Sequence, residues 1–152
     1  MVIDLSDVPI SQGTGYPEPF QAAVAGRSRQ RVGNAAGLTN FGVNLTTLTP
    51  GAQSALRHWH SHQDEFIYVI SGQLTLVTEA GETHLQPGMM AGFPAGVADG
   101  HHLINRSDAI ATYLEIGDRT PGDQADYPDH DLLAISKAEG DYQFTHRNSD
   151  PY

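Results

Sequence analysis

Five of the eight histidines fall in two tight groups, His58, His60 and His62 in one and His101 and His102 in the other. Histidine beside carboxylate is the donor chemistry of a divalent metal site. His58 and His60 are two residues apart, and on a β-strand that spacing puts both imidazoles on one face, close enough to share an ion. Glu65 follows shortly and could bring a carboxylate round the same turn, while His101 opens a later segment and could close the site from a neighbouring strand. Three imidazoles and one carboxylate leave positions open to water or substrate and suit iron, manganese, nickel, cobalt or zinc. A metal so held can polarise a carbonyl, acidify a bound water or bind dioxygen. The chain has no cysteine, so any metal must be held by His and carboxylate, and neither a disulfide frame nor a thiolate nucleophile is available.

These residues need strands to position them, and the middle of the chain supplies the pattern. Phe41–Thr49, Leu56–Ser61, Glu65–Ile70, Gln73–Thr78, Glu82–Leu85, Met89–Phe93, His101–Asn105 and Ile110–Ile116 are short runs rich in β-branched residues. Turn residues separate them, among them Pro50-Gly51, Ser71-Gly72, Pro87-Gly88 and Pro94–Gly100. Short strands punctuated at this interval indicate an all-β sandwich or barrel, and no segment carries a helical apolar stripe. Residues 1–40 read as an irregular arm in which glycine and proline interrupt every candidate helix. Arg27, Arg29 and Arg31 alternate there at strand spacing, and the simplest reading is a solvated strand face. Residues 118–152 read as an acidic, proline-bearing arm over the barrel. It ends in a candidate hairpin, Leu132–Ser136 with Tyr142–His146 across Lys137–Asp141, that would bury Tyr142 and Phe144 on one face.

At 152 residues the chain is long enough for a single domain, 1–152, with its own core. A formal net charge of -10, with Lys137 the single lysine, argues against nucleic acid or an anionic membrane as a partner. No signal segment or membrane-length apolar run stands out, so the expectation is a soluble, cytoplasmic protein.

The flanking residues add a family resemblance. Gly51, then His58-Trp59-His60, Glu65 after four intervening residues and Gly72 resemble the first cupin motif. Gly88, then Pro94-Ala95-Gly96, His101 and Asn105 resemble the second. The likeness spans about residues 41–117. It implies a double-stranded β-helix, the cupin jelly-roll barrel, with one divalent metal in its mouth held by His58, His60, Glu65 and His101. Gly72, Pro94 and Gly96 would form turns, and Asn105 would tie down a strand end. A rival register through His60 and His62 leaves too few residues before Glu65. The loop from Gly96 to His101 is longer than the usual pattern, and His101 is preferred to His102 because it keeps the spacing to Asn105. His62 and His102 then fall near the mouth or outside it, or beside the metal as proton carriers. Arg57 is a weak phosphate-binding candidate, and Tyr113 is either cavity wall or core.

The nearest functional comparison is a sugar or sugar-phosphate isomerase of the cupin type, or a lyase, acting on a small oxygenated metabolite with the metal as Lewis acid. An Fe(II) dioxygenase and a non-catalytic small-ligand-binding or sensing barrel are the alternatives, because one fold hosts many chemistries. The resemblance also implies a homodimer, with the Phe66/Tyr68 face and the two terminal arms as candidate contacts.

Overall fold

Short β-branched and aromatic runs cut by glycine and proline favour strands joined by tight turns, and strands dominate the chain. The computed structural model describes residues 2–137 and 141–152. The N-terminal segment holds β1 (Ile10–Gln12), α1 (Glu18–Gln21), β2 (Arg27–Gln30) and α2 (Val32–Ala35). The centre holds β3 (Phe41–Leu48), β4 (Trp59–His60), β5 (Glu65–Ser71), β6 (Leu74–Thr78), β7 (Gly81–Leu85), β8 (Met90–Phe93), β9 (His102–Ile104) and β10 (Ala111–Asp118). Beyond it come β11 (Gln124–Tyr127), β12 (Leu132–Ser136) and β13 (Tyr142–Thr145). Among the described residues no helix is long and apolar enough to cross a membrane.

The strands form three antiparallel sheets, ordered β1-β2-β3-β10-β5-β8, β7-β6-β9 and β13-β12-β11-β4. Alternation along the first sheet sends Thr46 and Leu48, Ala111 and Tyr113, and Ile67 and Val69 to a shared inner face. With Leu74, Leu85 and Leu103 of the second sheet they form the main core. A second core joins the terminal segments, with Tyr16 and Val24 packed against Leu56, Ala125, Tyr127, Leu132 and Ala134.

Both terminal arms are more regular than their composition suggests. β1 and β2 extend the large sheet through the pairs Arg27↔Leu48 and Arg29↔Thr46. Among the described residues the glycines and prolines confine helix to two α-helical elements of four residues each and two 3-10 turns, Leu5–Asp7 and Ala22–Val24. The acidic C-terminal arm supplies three strands, and β11 pairs directly with β4. β12 and β13 pair as anticipated, with Ser136 opposite Tyr142, and Tyr142 and Phe144 pack onto the second core. Residues 138–140 of that turn lie outside the described residues.

Two turn positions are fixed sterically. Gly72 has φ 75°, and a Cβ there would meet the Ile110 carbonyl oxygen at 2.5 Å and Ala111 Cα at 2.7 Å, so glycine is required twice over. Gly96 also has φ 75°. Asn105 is fully buried. Its amide donates to the Leu48 and Ala109 carbonyls at 2.9 and 2.8 Å, and its oxygen accepts from the Ser107 N–H and Oγ, tying down the strand end.

Candidate metal centre

His58 and His101 are placed by main chain. Each donates its N–H to the carbonyl of the other, at 3.2 and 2.9 Å, and residues so paired present side chains on one face. His60 shares that face through the two-residue period of β4, and β4 is pinned on its far side by the pair His60↔Ala125. Glu65 opens β5 opposite Gly117 of β10 and Phe93 of β8. The inner face of the large sheet thereby brings its carboxylate to the three imidazoles.

Glu65 Oε2 lies 2.9 Å from His101 Nε2, 3.6 Å from His60 Nε2 and 3.8 Å from His58 Nε2. Donor atoms of His58, His60 and Glu65 all fall within 4.8 Å of one another, and His101 reaches them through Glu65. The other nitrogen of each ring faces an oxygen. His58 Nδ1 is 2.8 Å from the Leu56 carbonyl, His60 Nδ1 is 2.6 Å from Asp123 Oδ2 and His101 Nδ1 is 3.3 Å from the Asp99 carbonyl. The Leu56 carbonyl and the Asp123 carboxylate are acceptors, so His58 and His60 carry the proton on Nδ1 and turn the Nε2 lone pair inward, whereas His101 has an acceptor at each nitrogen, the nearer being Glu65 Oε2 at 2.9 Å from Nε2. Two inward lone pairs, the His101 nitrogen and a carboxylate oxygen facing one another suit a cation or a proton between them. A divalent ion with bonds of about 2.1 Å sets neighbouring donors about 3.0–3.4 Å apart, and the separations to Glu65 bracket that range. The residues present therefore fit a divalent metal.

Electrostatics favour ligation at His58 and Glu65, while at His60 a metal would have to compete with a proton. Burial pushes His58 down to about 4, against the pull of Glu65, which keeps this imidazole neutral and ready to ligate. Burial would raise the Glu65 carboxyl, but the His101 hydrogen bond and the neighbouring imidazoles hold it well below the usual carboxylate range. For His60, burial is outweighed by the Asp123 hydrogen bond and the Glu65 charge, and its proton affinity rises. The rings are also held by stacking: Phe93 lies on His101 with centroids 3.6 Å apart, and Tyr127 lies on His58 at 5.5 Å.

Over 100% of this chain and 96% of the other, the protein is 45% identical to a sugar phosphate isomerase of the cupin superfamily from Silicibacter pomeroyi, with a TM-score of 0.96. The chain belongs to the cupin superfamily. A cupin domain family model matches residues 44–117. A second solved cupin-like structure, a candidate sugar phosphate isomerase from Acidithiobacillus ferrooxidans, is 29% identical over 83% of this chain and 80% of its own, with a TM-score of 0.74. The polyketide cyclase RemF of Streptomyces resistomycificus shares the fold at 17% identity, a TM-score of 0.61 and 78% coverage of each chain. No curated protein matches the sequence.

The other histidines of this cupin stand apart. His62 Nδ1 turns to Ser61 Oγ at 2.7 Å, and His102 lies half-buried on β9 with Nδ1 unpartnered among the described residues. Arg57 is fully engaged, with Glu79 at 2.6 Å and Asp129 at 2.7 Å, so it is no free phosphate ligand. Arg27 and Arg29 depart from the solvated face expected of them. Arg27 is only 7% exposed, and both line a cavity of about 1240 Å³ that also holds His58, His60, Glu65 and His101. Tyr113 is at once core and cavity wall, 1% exposed. Sequence reading also passed over Asp123 as one acid among several in the arm. It is fully buried and accepts from His60, from the His62 N–H at 2.9 Å and from Ser61 Oγ at 3.4 Å. The signal for it was three-dimensional, the pairing of β11 with β4.

Proposed function

We propose that this cupin is a metal-dependent isomerase acting on a small, oxygen-rich carbonyl metabolite, with His58, His60, Glu65 and His101 as the ligands of one divalent ion. The observation that carries the reading is the convergence of three Nε2 atoms on Glu65, each with its Nδ1 pinned by an oxygen. A metal bound there would supply Lewis-acid polarisation of a carbonyl and its neighbouring hydroxyl, lowering the barrier to moving the proton between them. The protein's own groups do the positioning. Asp123 and the Leu56 carbonyl fix the tautomers of His60 and His58, Phe93 and Tyr127 restrict ring rotation, and the cavity walls carry the rest of the substrate. Likeness over the whole chain to a sugar phosphate isomerase supports this reaction class.

The test is exchange in deuterated water. Purified protein of known metal content is incubated with a panel of aldose and ketose phosphates, and loss of the proton beside the carbonyl is followed by NMR. Metal-dependent exchange that disappears in His60→Ala is the expected result. Stoichiometric iron with dioxygen uptake and no exchange would replace the isomerase with a dioxygenase.

We also infer a homodimer. The outer face of β5 and β8 presents Phe66, Ile70 and Met90 at 39%, 42% and 57% exposure, side by side because Tyr68 pairs with Met90 and Phe66 with Gly92.

A further inference from the structure

The cavity has a second chemical pole. Arg27 and Arg29 project from β2 onto the inner face of the large sheet, where their strand partners are Leu48 and Thr46 of β3. Arg27 is buried, and its two described hydrogen bonds run to neutral carbonyls, of Ser54 and of Gly13 at 3.2 Å. Among the described residues no carboxylate bonds to it. A guanidinium has five N–H donors, so Arg27 holds donors and a full charge in reserve. Arg29 bonds to Glu115 at 3.1 Å, but its Nε is buried without a partner among the described residues, and so is the hydroxyl of Thr46 directly opposite. Glu115 is already shared with Asn44 at 3.2 Å and Tyr113 at 3.4 Å.

The balance on this wall is two cations against one carboxylate, in a protein of net charge -10. Burying a surplus charge is costly unless something pairs with it. Burial and the Arg29 charge both work against the charged form of Arg27, yet arginine does not give up its proton in proteins. A bound anion would supply the missing partner. Register also sets the distance. Glu115, which holds Arg29, pairs with Ile67, two residues from Glu65 on β5. Strand spacing and rise put the two acids about 8 Å apart at the backbone, the span of a short polyhydroxylated chain.

We propose that Arg27 and Arg29 form an oxyanion subsite that binds the charged tail, a phosphate ester or a carboxylate, of the substrate whose other end lies at the histidine cluster. The role of the far end rests on the isomerase reading; the anion subsite does not. Two guanidiniums with free donors suit a multi-oxygen anion and give it bidentate contacts.

Equilibrium dialysis of the full-length protein with radiolabelled inorganic phosphate, and separately with acetate, at constant ionic strength tests this. Saturable binding of at least one oxyanion is expected, weakened roughly tenfold or more in Arg29→Gln and in Arg27→Gln and unchanged in Arg57→Ala. Tighter phosphate points to a phosphate ester, and tighter acetate to a carboxylate. Binding that survives His60→Ala shows the subsite to be independent of the metal, so a failed exchange assay leaves it standing. The Arg29 side chain is 28% exposed, and a thermal melt of each variant shows whether loss of fold explains the result. Absence of saturable binding, unaltered affinity in Arg29→Gln, or binding lost only in His60→Ala would each overturn the proposal.

Discussion

Replacing Asp123 by Asn keeps the side chain's shape and removes its charge. Both carboxylate oxygens accept hydrogen bonds, Oδ2 from the His60 ring at 2.6 Å and Oδ1 from the His62 N–H at 2.9 Å. An amide has one acceptor and one donor group, so one N–H must face another across a fully buried contact. The loss is one charge-assisted hydrogen bond, about 1.5–3 kcal/mol. If the amide surrenders the His60 contact, the ring is free to rotate or change tautomer, and the loss falls on the metal site as a roughly 10–100-fold lower affinity. Competition with a chromophoric chelator at fixed pH measures it. Asp123→Asn should weaken metal binding by that factor while a paired melt of the chelator-treated protein shows a well-folded variant. Wild-type affinity, within about twofold, would refute the idea that Asp123 orients His60.

Three further outcomes follow from the same geometry. His60→Ala should lose stoichiometric metal by elemental analysis, whereas His62→Ala should retain it, because the His62 ring turns to Ser61. Gly72→Ala should cost about 2–4 kcal/mol in urea unfolding, from positive φ and a Cβ too close to Ile110 and Ala111. Phe66→Asp should shift sedimentation from dimer to monomer without changing the metal content, and a wild-type monomer would remove the inferred interface.

The histidine–carboxylate cluster was legible in the sequence because its spacing is local: two histidines at strand period, a carboxylate one turn away and a histidine beginning the next motif. The strands of the centre were legible for the same reason, with β-branched runs bounded by glycine and proline. What escaped notice depends on pairing between distant segments. Arg27 and Arg29 alternate like a solvated face, yet β3 and β10 fold their inner row under them, so the same alternation aims them into the cavity. Asp123 sits in a run of acids that reads as surface charge, and only the contact of β11 with β4 buries it. Composition likewise hid the strands of both arms, since Gln124–Tyr127 carries two polar residues and no β-branched one.

The pairing of β4 with β11 also bears on when the proposed metal site could be filled. A ribosome delivers His58 and His60 long before Asp123, Ala125 and Tyr127, so the first two imidazoles emerge with neither their tautomer lock nor the strand that holds them. The nascent chain presents loose histidines to whatever cation is abundant, and the selective arrangement exists only once the last third of the polypeptide has been made and folded back. If the site holds a metal as proposed, its choice of ion would be a property of the finished molecule, set once the C-terminal sheet has closed.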